Sequence, residues 1–274
     1  MKIVDKKIIG QFKDARIVQL KIEALDIAQK AKPGQFVVLM VNDRGERFPL
    51  TIVDKNKGTI DLIVQEIGLT TKLLGKLKAG DSLYALAGPL GQATEIKNYG
   101  KVILVGGGVG IAEIFPIAKA LKKAGNYLLV IIGARTKGLL ILEKELKEVS
   151  DELYISTDDG SYGKKSLTTE ILDEVLAKQT YDFVYSVGPL AMMRKVAEKT
   201  KKEGINTKVS LNALMVDGTG MCGSCRVSLA GKTKFTCIDG PEFNAHEIDW
   251  PELEARNKMY VISEKHICKL KGYE

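Results

Sequence analysis

The chain has 274 residues, 45% hydrophobic and 27% charged, which excludes general disorder and, at about 150 residues per domain, suggests two or three domains. Lysine and arginine exceed aspartate and glutamate by 41 − 34 = 7. The excess is scattered in pairs such as Lys6-Lys7, Lys122-Lys123 and Lys201-Lys202 among acids. This argues against a nucleic-acid partner, whose binder would concentrate its charge on one face, and leaves a mild bias towards anionic ligands.

No membrane association is expected, because uncharged runs such as 102–112 fall well short of the about 20 apolar residues of a membrane span. The N-terminus lacks the long apolar segment of a secretory signal, so a soluble, cytoplasmic protein is expected. Along the chain, 17–23, 35–41, 59–66 and 82–88 carry β-branched or alternating apolar residues bounded by Gly, Pro or Asp. Turn signals at Lys32-Pro33-Gly34, Asp43-Arg44-Gly45 and Gly80-Asp81 recur at barrel-like spacing, and a short helix is expected near 70–77. Residues 1–98 are therefore expected to form an antiparallel β-barrel.

From Tyr99 the texture changes. Strands at 102–105, 127–133, 153–157, 183–187 and 208–211 alternate with helices at 113–123, 142–149, 168–177 and 192–203. That alternation predicts a doubly wound parallel α/β domain over 99–211. Past Leu211 no regular period survives. Residues 212–274, with all four cysteines and the single tryptophan, are expected to form a small domain that needs a metal centre to complete its core.

The motif with most chemistry is Asp217-x4-Cys222-x2-Cys225-x11-Cys237. Its spacing is that of a plant-type 2Fe–2S site, with aspartate at the first ligand position. Thiolates are soft and anionic, and a carboxylate, though harder, can complete the fourth iron bond. The same residues admit a second reading, a structural zinc held by Cys222, Cys225, Cys237 and either His246 or Cys268.

A glycine-rich turn, Val105-Gly106-Gly107-Gly108-Val109-Gly110, follows a strand and opens a helix, where unpaired amides suit a pyrophosphate. Any tight strand-to-helix turn could read the same, and the G-x-G-x-x-G spacing is absent. Loops at 157–163, with Asp158 and Asp159, and at 188–193, with Gly188, Pro189 and Met192, end later strands of the same sheet. Such loop ends are where parallel sheets bind ligands, although turn chemistry alone explains them too. In the first domain, Arg47 to Thr51 and Gly68-Leu69-Thr70-Thr71 could meet a diphosphate, or be a surface arginine and a helix cap.

Taken in order, these motifs resemble the ferredoxin–NADP reductase superfamily over essentially the whole chain. The run Gly68-x2-Thr71, Gly80-Asp81 and Gly88-Pro89-Leu90-Gly91 resembles its flavin barrel, and 106–112, 158–163 and 188–193 resemble its nicotinamide domain. A C-terminal 2Fe–2S tail is similar to that of the branch containing the electron-transfer subunit of dihydroorotate dehydrogenase. Aspartate as first ligand, with Asp239-Gly240-Pro241-Glu242-Phe243 after the last cysteine, resembles more particularly the small subunits of electron-bifurcating NADH-dependent ferredoxin:NADP oxidoreductases.

The resemblance implies FAD held by Phe48, Pro49, Leu50, Thr51, Ile63, Val64, Gly68, Thr70 and Thr71. It implies NAD(H) against Gly106, Gly107, Gly108, Val109, Gly110, Asp159, Gly188, Pro189 and Met192, and a 2Fe–2S cluster on Asp217, Cys222, Cys225 and Cys237. It further implies a larger glutamate-synthase-like partner subunit with its own flavin and 4Fe–4S clusters, and ferredoxin reached through that subunit. Two departures stand out. Leu50 replaces the usual aromatic of the flavin motif with Arg47 one position early, and Ser186 occupies a region where relatives often carry a cysteine. No catalytic side chain is expected, since the flavin carries the chemistry.

Overall fold

The computed structural model describes residues 1–270, which divide into two compact units. Of the described residues, unit 1 comprises 1–92, 212–241 and 249–270; unit 2 comprises 93–211 and 242–248. The cysteine-bearing tail thus contributes mainly to unit 1 and lends one short stretch to unit 2.

Unit 1 begins with β1 (Ile3–Phe12), β2 (Ala15–Glu23), α1 (Leu25–Lys30), β3 (Phe36–Met40), β4 (Phe48–Asn56), β5 (Thr59–Gln65), α2 (Leu69–Lys76) and β6 (Ala85–Leu90). The strands form an antiparallel sheet in the order β1-β2-β5-β4-β3-β6. A single antiparallel bridge, Lys2 to Ser82, joins the start of the chain to the segment before β6. Inward residues Val18, Leu20, Ile22, Val37, Leu39, Ile60 and Leu62 build its core, the alternation that a half-solvated sheet requires. β1 was not expected from sequence. Most of it is exposed or half-buried, so its residues carry no alternating apolar signal.

Unit 2 runs β7 (Lys101–Gly107), α3 (Gly110–Lys123), β8 (Tyr127–Ala134), α4 (Glu143–Val149), β9 (Glu152–Thr157), β10 (Lys164–Lys165), α5 (Thr168–Leu176), β11 (Phe183–Val187), α6 (Leu190–Lys202) and β12 (Asn206–Ser210). These strands are parallel in the order β10-β9-β8-β7-β11-β12. Ile103, Val105, Leu129 and Ile131 pack on Ile171, Leu172 and Val175 of α5 and Val196 of α6. Gly106, of opposite parity, lies under Ile111 and Ile114 of α3, so helices cover both faces. The strand order reverses between β7 and β11, which creates a crevice at their carboxyl ends.

The tail, expected to be irregular, contains a hairpin of β13 (Arg226–Leu229) and β14 (Lys232–Phe235), then β15 (Glu242–Asn244), α7 (Trp250–Asn257) and α8 (Val261–Leu270). These strands are too short to show a period. The start of α7 carries a readable cap, Asp249, whose carboxylate accepts the Glu252 amide at 3.0 Å. β15 adds to unit 2 as an antiparallel neighbour of β12. Among the described residues no helix is long and apolar enough to cross a membrane.

Glu242 on β15 accepts hydrogen bonds from the Tyr185 hydroxyl at 2.9 Å and from Thr94. Burial pushes its carboxyl above the usual carboxylate range, against the pull of both hydroxyls. A raised folded-state value favours folding below the ordinary glutamate pKa, and that contribution is lost as pH rises through the folded value. Glu242→Gln keeps the acceptor but cannot ionise. It is expected to melt higher than wild type at about pH 8, with the difference shrinking towards about pH 4, in thermal unfolding scans.

Candidate functional site

The cluster segment is built around two buried thiols. Cys225 and Cys237 are 2% and 1% exposed, with their sulfurs 3.3 Å apart. They pack in a small core with Phe36, Val38, Ala213 and Met215. The Asp217 carboxylate faces the exposed Cys222: its two oxygens accept the amides of Thr219 at 2.8 Å and Cys222 at 2.9 Å. A carboxylate has about four lone-pair positions, so two amide bonds leave room for a metal bond. The Thr219 amide, more than any other neighbour, holds the Asp217 carboxyl below the usual range.

The thiols differ. A hydrogen bond with Ser224, whose Oγ lies 3.4 Å from Sγ, lowers the Cys222 thiol, whereas burial pushes Cys237 up to about 12. Metal binding at Cys237 therefore releases a proton. Among the described residues no three His, Cys, Asp or Glu side chains gather closely enough to hold one metal ion. Of the donors, Cys225 and Cys237 meet sulfur to sulfur, whereas Asp217 meets Cys222 through the backbone amide. His246 is engaged elsewhere, 3.0 Å from the Thr200 hydroxyl, and Cys268 lies on α8.

In unit 1 the ladder between β4 and β5 starts only at Ile52 opposite Leu62. Phe48, Pro49, Leu50 and Thr51 pair with β3 alone, and Ile63 and Val64 with β2 alone. The facing edges of these six residues are thus outside the sheet ladder, next to the start of α2. At that start the Thr71 hydroxyl accepts the Ile67 and Gly68 amides, both at 3.0 Å, and Thr70 donates to Glu46 at 2.6 Å. α2 is held from below. Arg16 donates twice to the buried Glu66, at 2.9 and 2.6 Å, and Lys6 donates to the carbonyls of Leu77 at 2.9 Å and Gly75. Arg47 is exposed and precedes β4.

In unit 2 the switch-point crevice gathers most of the residues expected for NAD(H). Gly106 and Gly107 end β7, Gly108 turns with φ +58°, and Val109 and Gly110 start α3. A Cβ on Gly107 would lie 2.5 Å from the Met192 sulfur and 3.0 Å from Pro189; one on Gly110 would lie 2.6 Å from the Val187 carbonyl. The two loops therefore approach as only glycine permits. Asp159 stands apart, after β9, exposed, with Oδ1 accepting the Ser161 amide at 2.9 Å. Ser161 also accepts the Lys137 amide at 2.8 Å, a link between the loops after β8 and β9 that no sequence motif announces.

Residues 104–198 match the oxidoreductase NAD-binding domain, and residues 212–249 match the iron-sulfur cluster binding domain of dihydroorotate dehydrogenase B. The chain is 48% identical over 246 residues to a Thermotoga maritima homologue of the dihydroorotate dehydrogenase B electron transfer subunit, covering 89% of this chain and 87% of the relative. It is 33% identical to the Clostridium perfringens electron transfer subunit, covering 81% and 88%. The chain belongs to the family of dihydroorotate dehydrogenase B electron-transfer subunits and their homologues.

Among solved structures, one of the NADH-dependent reduced ferredoxin-NADP oxidoreductase, described for flavin-based electron bifurcation, superposes with a TM-score of 0.93 at 43% identity, covering 100% of this chain and 98% of that one. A Plasmodium falciparum ferredoxin-NADP+ reductase, at 14% identity and a TM-score of 0.58, shares the fold. Within this family the chain is an oxidoreductase-type electron-transfer subunit with a ferredoxin–NADP reductase-like fold. Its cofactors are FAD, a 2Fe–2S cluster and NAD(H).

Because the Gly110 contact is with backbone, a methyl there cannot be relieved by a side-chain rotation. Gly110→Ala is expected to weaken NADH binding about tenfold or more, the size of effect that about 1–3 kcal/mol of overpacking produces. Flavin absorbance and iron content should stay unchanged, and titration calorimetry with NADH measures the loss.

Proposed function

We propose that this chain is the small subunit of an electron-bifurcating NADH-dependent ferredoxin:NADP oxidoreductase. In this reading it connects NAD(H) to a larger subunit that carries its own flavin and 4Fe–4S clusters, through which ferredoxin reacts. The observation that carries it is the carboxylate at the first position of an otherwise intact cluster spacing, Asp217-x4-Cys222-x2-Cys225. Support comes from the full-length likeness to a chain of that bifurcating oxidoreductase.

Bound FAD and the 2Fe–2S cluster supply the conversion between a two-electron hydride and single electrons. The chain's own residues hold and orient these groups. Phe48, Pro49, Leu50 and Thr51, with Ile63 and Val64, would face the flavin across the opening between β4 and β5, in a sheet curled as a barrel. Gly68, Thr70 and Thr71 at the start of α2 would receive its diphosphate, with Thr70 exchanging its Glu46 partner for a phosphate oxygen. Gly106 to Gly110 would offer amides and close approach to the diphosphate of NAD(H), while Gly188, Pro189 and Met192 wall the crevice and Asp159 meets the adenosine ribose. Asp217 and Cys222 would bind one iron, Cys225 and Cys237 the other. No acid or base is required of the protein in the hydride step.

A second reading is favoured by the names of the relatives: an electron-transfer subunit of a dihydroorotate dehydrogenase. The two separate on the complex purified from its source. A larger iron–sulfur flavoprotein partner, with NADH-dependent reaction of ferredoxin and NADP, supports the first. Dihydroorotate oxidation by the co-purified partner overturns it.

The ligand assignment has its own test. Asp217→Cys is expected to keep iron and sulfide content while moving the EPR g-values and midpoint potential of the reduced cluster. An unchanged EPR spectrum would show that Asp217 is not a ligand.

A further inference from the structure

The loop between Cys222 and Cys225 is held by two arginines that belong to none of the cofactor motifs. Arg256, in the last turn of α7, donates from its guanidinium to the Ser224 carbonyl at 2.9 Å. Arg226, the first residue of β13, donates to the Gly223 carbonyl at 3.3 Å. Ser224 is joined directly to Cys225, and its hydroxyl lies 3.4 Å from the Cys222 sulfur. Each guanidinium is thus one hydrogen bond from the backbone that carries two of the thiols. Both arginines line a cavity of about 10 Å³ with Ser224 and Leu253, room for about one water. Arg256 is half-buried and Arg226 is exposed, so solvent screens the first less than the second.

Charge decides what such cations do. A carboxylate and three thiolates surround the two metal positions with negative charge. One-electron reduction adds a further negative charge there, and the four donors bring no proton to offset it. A fixed cation nearby therefore favours the reduced state over the oxidised one. Arginine stays protonated at any pH the fold survives, so its contribution is constant, unlike that of a histidine. A helix C-terminus favours a cation, which explains why Arg256 sits comfortably at this end of α7 even without the cluster.

We infer that Arg256 and Arg226 are positioning residues that raise the reduction potential of the 2Fe–2S site, with Arg256 the stronger of the two. The inference rests on the reading that Asp217, Cys222, Cys225 and Cys237 hold the cluster. It adds that the charge of the loop's supports, as well as the ligands themselves, places the site on the redox scale. An electron arriving as one half of a hydride is more readily accepted by a site so biased, and the exposed arginine leaves that bias open to adjustment by acidic groups of a docking subunit.

The experiment is an anaerobic redox titration of the full chain, followed by EPR of the reduced cluster, on wild type, Arg256→Gln, Arg256→Lys, Arg226→Gln and the Arg226→Gln/Arg256→Gln double variant. Iron content and flavin absorbance are measured on each. The expected result is a more negative midpoint for Arg256→Gln, a smaller shift of the same sign for Arg226→Gln and the largest shift for the double variant. Arg256→Lys should return most of the shift, because it restores the charge without the guanidinium shape. A wild-type midpoint in the iron-replete double variant overturns the inference, as does an Arg256→Lys midpoint as negative as that of Arg256→Gln. If Arg256→Gln fails to retain iron, Arg226→Gln decides alone, and its wild-type midpoint overturns the inference equally. Wild-type protein that takes up no iron contradicts the cluster reading instead, so the two failures are distinguishable.

Discussion

The constraint on which this molecule's chemistry depends is that the cysteine segment has too little apolar surface to fold alone and borrows one strand of the six-stranded sheet. Cys225 and Cys237 are buried against Phe36 and Val38 of β3, with Leu90 and Phe235 closing the edge. Gly218, at φ +76°, lies where a Cβ would meet Val38 at 2.8 Å and Leu90 at 3.0 Å, so the loop seats directly on the sheet. Phe36 and Val38 are also ladder partners of Thr51 and Pro49, two of the residues assigned to the flavin. One strand therefore touches both the cysteine segment and residues proposed for the flavin.

The nucleotide unit works by a different constraint, the hard-sphere limit at a switch point. The β7–α3 and β11–α6 loops come close enough that a Cβ at Gly107 or Gly110 would overlap the opposite segment. Here close approach, more than amide display, explains the run of glycines. The same unit keeps a carboxylate, Glu242, largely buried beneath two hydroxyls on the strand that the cysteine tail lends it. Burying a carboxylate costs stability unless its acceptors are satisfied, and Tyr185 and Thr94 meet that need at one oxygen.

Legibility followed the range of the interactions. The alternation of strands and helices over 99–211 was readable because buried parallel strands are continuously apolar and their helices repeat at 3.6 residues. The cluster motif was readable because its donors lie within one loop and a single residue further on. By contrast β1 and α1 escaped notice, the first because it is a mostly exposed ribbon strand, the second because six residues carry no period. The tail looked shapeless for the same reason, as its strands span three or four residues.

What the sequence determined by itself was local: which donors stand at which spacing, where glycines free the backbone and where apolar periods change. Those are properties of neighbours along the chain, and neighbours are what a sequence records. Only the tertiary structure decided that Cys225 and Cys237 are buried sulfur to sulfur, that β4 and β5 part company at Ile52, and that Arg256 reaches back 32 residues to the loop holding two of the thiols. Each of these joins residues distant in sequence, and packing rather than propensity fixes such pairs.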